Sequence, residues 1–463
     1  MGSSKMDKGL NFSDEDGVEE RKSEMGIENK ESKKSEMGIE NRNKKTKRKR
    51  FFIFPKLACM RLDDEFPVVE TPAHEGGFDV ESSQKGPGHA PNHLVVMVNG
   101  IIGSVDDWKY AAEQFVKAYP HDIIVYRSRS NYSKLTFDGV DVMGTRLAEE
   151  VQSVVKRTPR LQKISFIGHS LGGLVCRYAI AKLYEQSSAR IACGQDMECS
   201  LNGSTDSCAE EVSKRKIAGL EPVNFITCAT PHFGCRGHKQ APAFCGLYSV
   251  EKVAASSSWL LGRSGRHLFL KDHDEGKPPL LLLMASDSED LPFISALQSF
   301  KRRVAYANTN FDYLVGWSTS SLRRRSELPK HRNMKKVDKY PHIVNVDEAT
   351  SVSSTEETPT MANINVHNSQ EMEEAMIRGL TKLSWERVDV SFKGSIQRFL
   401  AHTAIQACQF LSHELFTLGF SPRARKKSTF LPYLDITHDT VQSYNMNSDG
   451  VDVIQHMIDN FTL

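Results

Sequence analysis

Large apolar side chains are spread unevenly along this chain. From residue 1 to about 90 they are sparse, and Lys, Glu, Ser and Asn prevail. Such a stretch buries too little surface to fold, so a disordered tail is expected over residues 1–90. From His93 onward short apolar runs alternate with stretches of helical period. Leu94 to Val98 is an unbroken apolar run, which predicts a strand covered on both faces. Val105 to Ala118 reads as a helix, Ile123 to Tyr126 as a strand, Val140 to Val155 as a helix, and Ile164 to Ile167 as a strand. Leu171 to Tyr184 is again helical and Val223 to Cys228 again a strand. This order predicts a mostly parallel central sheet with helices on both faces.

The pattern loosens further along. Residues 187–220 are polar, and residues 235–300 mix Gly, Ser and apolar pieces without a clear period. Arg303 to Ala307 and Trp385 to Phe392 read as later strands, residues 347–366 as a Ser/Thr/Glu-rich mobile segment, and Val451 to Phe461 as an amphipathic terminal helix. Residues 91–463 are therefore expected to form one α/β domain with insertions at 187–220, 235–300, 347–366 and 407–440. Within the second insertion, Phe244, Leu247, Trp259, Leu260, Leu261 and Phe293 could form a lid or acyl pocket, or simply core packing.

Composition narrows the function classes. The chain has 463 residues, 39% of them hydrophobic, enough for a sizeable core. A net charge of +2 argues against a nucleic-acid partner for the protein as a whole. The nine cysteines form no tight pair, so neither a structural zinc site nor a disulfide framework is expected. Scattered reduced thiols suit an intracellular, cytoplasmic protein. The first thirty residues lack the apolar stretch of a secretory signal. The strongest apolar run, Leu280 to Met284, is far too short to cross a bilayer.

In the tail, the octapeptide from Lys22 to Asn29 recurs from Lys34 to Asn41, which reads as a duplicated linker. Seven of the nine residues from Arg42 to Arg50 are Lys or Arg, and Phe51-Phe52-Ile53-Phe54 follows. Charge beside aromatics suits peripheral contact with an anionic membrane, against the alternative of a solvated tail.

Candidate chemistry centres on Gly168-His169-Ser170-Leu171-Gly172, between a predicted strand and a predicted helix. That context is a nucleophile elbow: a tight, strained turn lifts the Ser170 hydroxyl above the sheet edge, and neighbouring side chains at 168 and 172 would collide. An oxyanion needs two N–H donors. Leu171 is one candidate, and Ile101, in the loop Asn99-Gly100-Ile101-Ile102-Gly103-Ser104, is the other. A serine hydroxyl also needs a histidine base and an acid to orient it, in the chain order Ser, acid, His. Asp312, beyond the strand from Arg303, leads over Asp287 and Asp290, which precede that strand. For the base, His331, His342, His367, His402, His413, His438 and His456 compete. His402 follows a late strand, whereas His456 in the terminal helix suits packing. No cofactor or metal is needed for this chemistry.

With Asp107-Trp108, Ala229-Thr230-Pro231-His232, Tyr306-Ala307-Asn308 and Asn447-Ser448-Asp449-Gly450, these stretches resemble the serine esterase, lipase-like family of α/β-hydrolases, plant-type members above all. The resemblance implies the α/β-hydrolase fold, Ser170 as nucleophile, Asp312 as acid, His402 as base, and a lipid or small-ester substrate such as an acylglycerol or phospholipid. The chain departs from the pattern at Asn99, where many related lipases have His, and in the segment Ala407 to Thr440, which similar proteins lack. An acyltransferase or thioesterase on the same triad, and a non-catalytic binding protein of the same fold, are the competing readings.

Overall fold

The computed structural model describes residues 90–185, 215–235, 261–273, 277–349, 364–365, 368–395, 398, 400–408 and 448–463. The tail, its duplicated octapeptide, the basic run Arg42 to Phe54 and most of the four insertions lie outside these residues.

Seven strands form one sheet: β1 (His93–Val98), β2 (Ile123–Arg127), β3 (Lys163–His169), β4 (Glu221–Cys228), β5 (Arg302–Asn308), β6 (Ile343–Asp347) and β7 (Glu386–Val390). Their spatial order is β2-β1-β3-β4-β5-β7-β6. Every pairing is parallel except β6 with β7. The helices are α1 (Lys109–Ala118), α2 (Val140–Arg157), α3 (Leu171–Leu183), α4 (Gly262–Leu268), α5 (Leu280–Leu283), α6 (Phe293–Gln298), α7 (Trp317–Ser321), α8 (Ser369–Thr381), α9 (Ala401–Ala404) and α10 (Val451–Asp459). The expected α/β-hydrolase architecture is present.

The apolar run in β1 shows why the strand is central. Its side chains alternate between two cores, as the period of two requires. Leu94, Val96 and Val98 join residues of α2, α3, α6 and α8 on one face. Val95 and Met97 join Ala111, Phe115, Val453 and Met457 from α1 and α10 on the other. All five β1 side chains are essentially inaccessible to water.

Register then decides where the chemistry can be. Val98 pairs with Gly168, His169 with Cys228, Cys228 with Tyr306, and Asn308 with Val390. The carboxyl ends of β1, β3, β4, β5 and β7 therefore finish together, and the loops that follow them share one edge of the sheet. Open α/β sheets bind ligands at that edge.

Several expectations need correction. The stretch from Val105 is a 3-10 turn, Val105–Trp108, capped by Ser104 and Asp107, before α1 begins at Lys109. Residues 235–300, read as an insertion without a clear period, contain α4, α5 and α6. Of the two readings left open for Phe293, core packing is the one observed: it is buried in the sheet-face core with Leu281, Leu282 and Leu297. Lys216–Ile217, placed in a polar insert, pairs with Tyr184–Glu185 and leads straight into β4. Strand β6 and helix α8 were not anticipated, because an edge strand and a helix beyond a polar stretch carry a weak local signal.

Three buried imidazoles make stability depend on pH. Burial, above all, pushes His93 and His169 down to about 3 and His456 down to about 4, from an ordinary 6.5. Each ring stays neutral in the folded chain but takes up a proton in the unfolded chain below about 6.5. Stability is thus fully present above that value and falls as pH drops toward 3–4, by up to ~1.4 kcal/mol per pH unit per ring. Thermal melts at pH 7 and pH 4.5 check this: a lower Tm is expected at pH 4.5, and an equal Tm would contradict it.

Candidate active site

Strand β3 ends at His169 and α3 begins at Leu171, so Ser170 alone makes the turn. Its backbone pays for this with φ of 51° and ψ of −126°, a conformation that side chains rarely adopt. Such strain costs of order 1–3 kcal/mol and persists only where the surroundings enforce it. Here they do: Ser170 N–H donates to Cys228 O at 2.8 Å, and β3 and α3 are both buried. Gly172 permits the close approach of α3 to β1. A Cβ there would come within 2.4 Å of Asn99 O and 2.5 Å of Val98 O.

His402 Nε2 lies 2.9 Å from Ser170 Oγ. His402 Nδ1 lies 2.9 Å from Asp312 Oδ2 and 3.1 Å from Oδ1. A carboxylate only accepts, so Nδ1 carries the ring proton and Nε2 is left to accept from the serine hydroxyl. The three residues are buried, between 6% and 8% exposed, and are brought together from the ends of β3, β5 and β7.

A sequence profile of the family described as "Putative serine esterase (DUF676)" matches residues 89–322, a stretch that includes Ser170 and Asp312. The chain belongs to this serine esterase family. It is 35% identical over 235 residues to "Putative lipase ROG1" of Saccharomyces cerevisiae, covering 50% of this chain and 28% of that protein. It is 29% identical over 245 residues to "Putative lipase C4A8.10" of Schizosaccharomyces pombe, covering 50% of this chain and 26% of that one. The match thus spans only about a quarter of these relatives. Among solved structures, the mature Bacillus licheniformis lipase BlEst2 is similar over 50% of this chain and 70% of that chain, at 12% identity and a TM-score of 0.28.

In this family member the Asp312 carboxylate is surrounded by protein donors. Asp312 Oδ1 accepts from the Leu314 and Val315 amides at 3.0 and 2.8 Å, and Oδ2 accepts from Asn308 Nδ2 at 2.9 Å. Burial pushes the carboxyl up, but the His402 ring, Asn308 and the Val315 amide outweigh it and hold Asp312 below its ordinary value. It is therefore ionised at neutral pH. Asn308 Nδ2 also donates to Ala401 O at 3.0 Å, so one amide ties Asp312 to the peptide before His402. The sequence reading did not assign Asn308 a role; its place at the end of β5, four residues before Asp312, was the available signal.

The loop after β1 is held from several sides. Asn99 Nδ2 donates to Gly100 O and Asn131 O, both at 3.1 Å. Gly103 N–H donates to Gly100 O, and Ser133 N–H to Gly103 O. Ile102 N–H is taken by Thr136 Oγ1 at 2.9 Å. Gly100 lies close against Ser170, since a Cβ there would lie 2.9 Å from Ser170 Cβ. Leu171 heads α3, where the first N–H groups lack helical acceptors.

The rivals are elsewhere. Asp287 accepts from Ile294 and Ser295 at the start of α6, and Asp290 is exposed. His331 is exposed, His342 pairs with Asp452 at 2.7 Å, and His456 Nδ1 meets Tyr306 OH at 2.9 Å. His367, His413 and His438 lie outside the described residues. His232, in the Ala229-Thr230-Pro231-His232 stretch, is buried and bonded to Thr227 Oγ1 at 3.1 Å, where it braces the loop after β4. Among the described residues no group of three or more His, Cys, Asp or Glu side chains could hold a metal ion, and Cys176, Cys228 and Cys235 are reduced thiols. No described helix is long and apolar enough to cross a membrane.

Proposed function

We propose that this chain hydrolyses carboxylic esters of lipid-like character, acylglycerols or phospholipids, through an acyl-enzyme on Ser170. The reading rests on one observation: an unbroken hydrogen-bonded chain from Ser170 Oγ through His402 to Asp312. His402 Nε2 takes the hydroxyl proton as Ser170 Oγ attacks the ester carbonyl carbon. The carbonyl oxygen becomes an oxyanion between the Leu171 and Ile101 amides, each such donor being worth on the order of 10²–10³ in rate. The carbon–oxygen bond to the alcohol then breaks, and the alcohol leaves with the proton from His402. Water, deprotonated by the same nitrogen, attacks the acyl carbon; the bond to Ser170 Oγ breaks, His402 returns the proton to that oxygen, and the acid is freed. Asp312 keeps the ring oriented and stabilises its charged form.

Exposed apolar side chains flank the site residues along the chain. Ile102, Tyr132, Leu314 and Leu400 are exposed at 46%, 54%, 62% and 37%. They come from four separate segments: one residue past Ile101, one before Ser133 that bonds Gly103, two past Asp312, and two before His402. Water-exposed apolar groups next in sequence to the site residues favour an acyl chain over a sugar or peptide. The yeast relatives named putative lipases agree with that class.

The test is hydrolysis of dispersed triacylglycerol, phosphatidylcholine vesicles and short p-nitrophenyl esters by the purified chain. Long-chain substrates are expected to be cleaved with the higher kcat/KM. Release of acyl groups to an added alcohol but not to water would favour the acyltransferase reading. No turnover, together with no labelling by a fluorophosphonate, would sink the enzymatic account.

A further inference from the structure

One buried ring beside the reacting atoms has no part in the steps above. His169, the residue before the nucleophile, is 4% exposed. Its Nε2 lies 2.6 Å from the backbone oxygen of His402, and the two ring centroids are 4.7 Å apart. On its other side is the loop after β1, where a Cβ on Gly100 would come within 3.2 Å of His169 Nδ1. The ring is wedged between the segment that carries the base and the segment that carries Ile101.

The His402 carbonyl needs a donor from outside its own helix. Helix α9 has four residues, too few to hold itself in place. Its hydrogen bonds skip this group: Ile405 N–H goes to Ala401 O, and Gln406 N–H goes to Thr403 O. A carbonyl only accepts, so His169 Nε2 carries the proton and supplies the missing bond. With Asn308 Nδ2 on Ala401 O, two successive peptides of the base segment are pinned by side chains at the ends of β3 and β5.

We propose that His169 is a positioning residue for the base: its Nε2–H fixes the His402 peptide so that the ring reaches Ser170 Oγ and the Asp312 carboxylate together. This rests on the triad reading above. The charged and titratable groups facing the ring are His402 and Asp312. Burial first, then the proximity of His402, pushes His169 down to about 3, against the pull of the His402 carbonyl and Asp312. It thus stays neutral through the working pH range. A second cation so close would oppose the charge that His402 acquires during the reaction.

The comparison that tests this is His169→Gln against His169→Asn, with His169→Leu as the deletion. The Gln amide nitrogen reaches the position of Nε2, whereas the Asn amide stops near Nδ1. A small misplacement of a reacting group can cost on the order of 10²-fold in rate. His169→Asn and His169→Leu are therefore expected to lose about 10- to 100-fold in kcat, with KM changed less than about twofold. His169→Gln should recover to within about threefold of wild type. Equal kcat for the Gln and Asn enzymes, whether both high or both low, overturns the proposal, because the N–H at the Nε2 position would then not be what matters. Labelling by a fluorophosphonate separates the two levels: wild-type protein that labels no better than Ser170→Ala fails the triad reading itself, whatever the variants at 169 do.

Discussion

Ser170→Ala is expected to lower kcat by about 10⁶, the scale seen when a member of such a triad is removed. The change deletes one oxygen and leaves the neighbouring parts intact. The turn is held by Ser170 N–H on Cys228 O and by the buried strand and helix on either side, not by the hydroxyl. The candidate oxyanion amides of Leu171 and Ile101 belong to other residues. Substrate binding should therefore survive while acylation does not, and residual hydrolysis should exceed that of water by on the order of 10³–10⁴ through the oxyanion site and binding. Two measurements check it: kcat for a long-chain ester, and labelling by a fluorophosphonate, which should be lost. A Ser170→Ala protein that turns over within tenfold of wild type would mean that another group attacks.

Asp312→Asn should cost about 10⁴ in kcat through the tautomer of His402. The carboxylate accepts on both oxygens: Oδ1 from Leu314 and Val315, Oδ2 from Asn308, and His402 Nδ1 lies within reach of both. An Asn has one amide nitrogen to place. Set toward Leu314 and Val315, it would confront two backbone N–H groups and leave both unpaired, at about 1–3 kcal/mol for each buried donor. Set toward His402, it would donate to Nδ1, so the ring proton moves to Nε2 and points at Ser170 Oγ. The base is then unable to accept. Pre-steady-state acylation should slow with kcat, and KM should change little. Imidazole or a higher pH that restores less than a tenth of the lost rate would agree with a wrong tautomer; a variant with nearly wild-type kcat would show that Asp312 is dispensable.

How much of this was legible in the chain differs by component. The turn at Ser170 was readable because a strand–turn–helix elbow is local. The strand, the bend and the helix lie within about twenty consecutive residues, and each leaves its own pattern. The strands of the sheet were readable for a similar reason: β1, β3, β4 and β5 are buried on both faces and so are written as short apolar runs. Strand β6 was missed because it is an edge strand with half-exposed residues, Asn345 to Asp347 among them. The anchors at Asn308 and His169 were invisible for another reason. Their partners are backbone carbonyls near His402, and a carbonyl has no letter in the sequence.

Residue types and order by themselves determined the fold class, and they singled out a candidate nucleophile and a short set of candidate acids and bases, since burial period and turn chemistry act between near neighbours. Which histidine faces Ser170, and from which carbonyls that histidine hangs, was decided only by the folded sheet. Its register brings the ends of β3, β5 and β7 to one edge, so that positions 170, 312 and 402, far apart along the backbone, fall within hydrogen-bond reach. Hydrogen bonds act over about 3 Å, and no linear pattern specifies which distant groups will be that close.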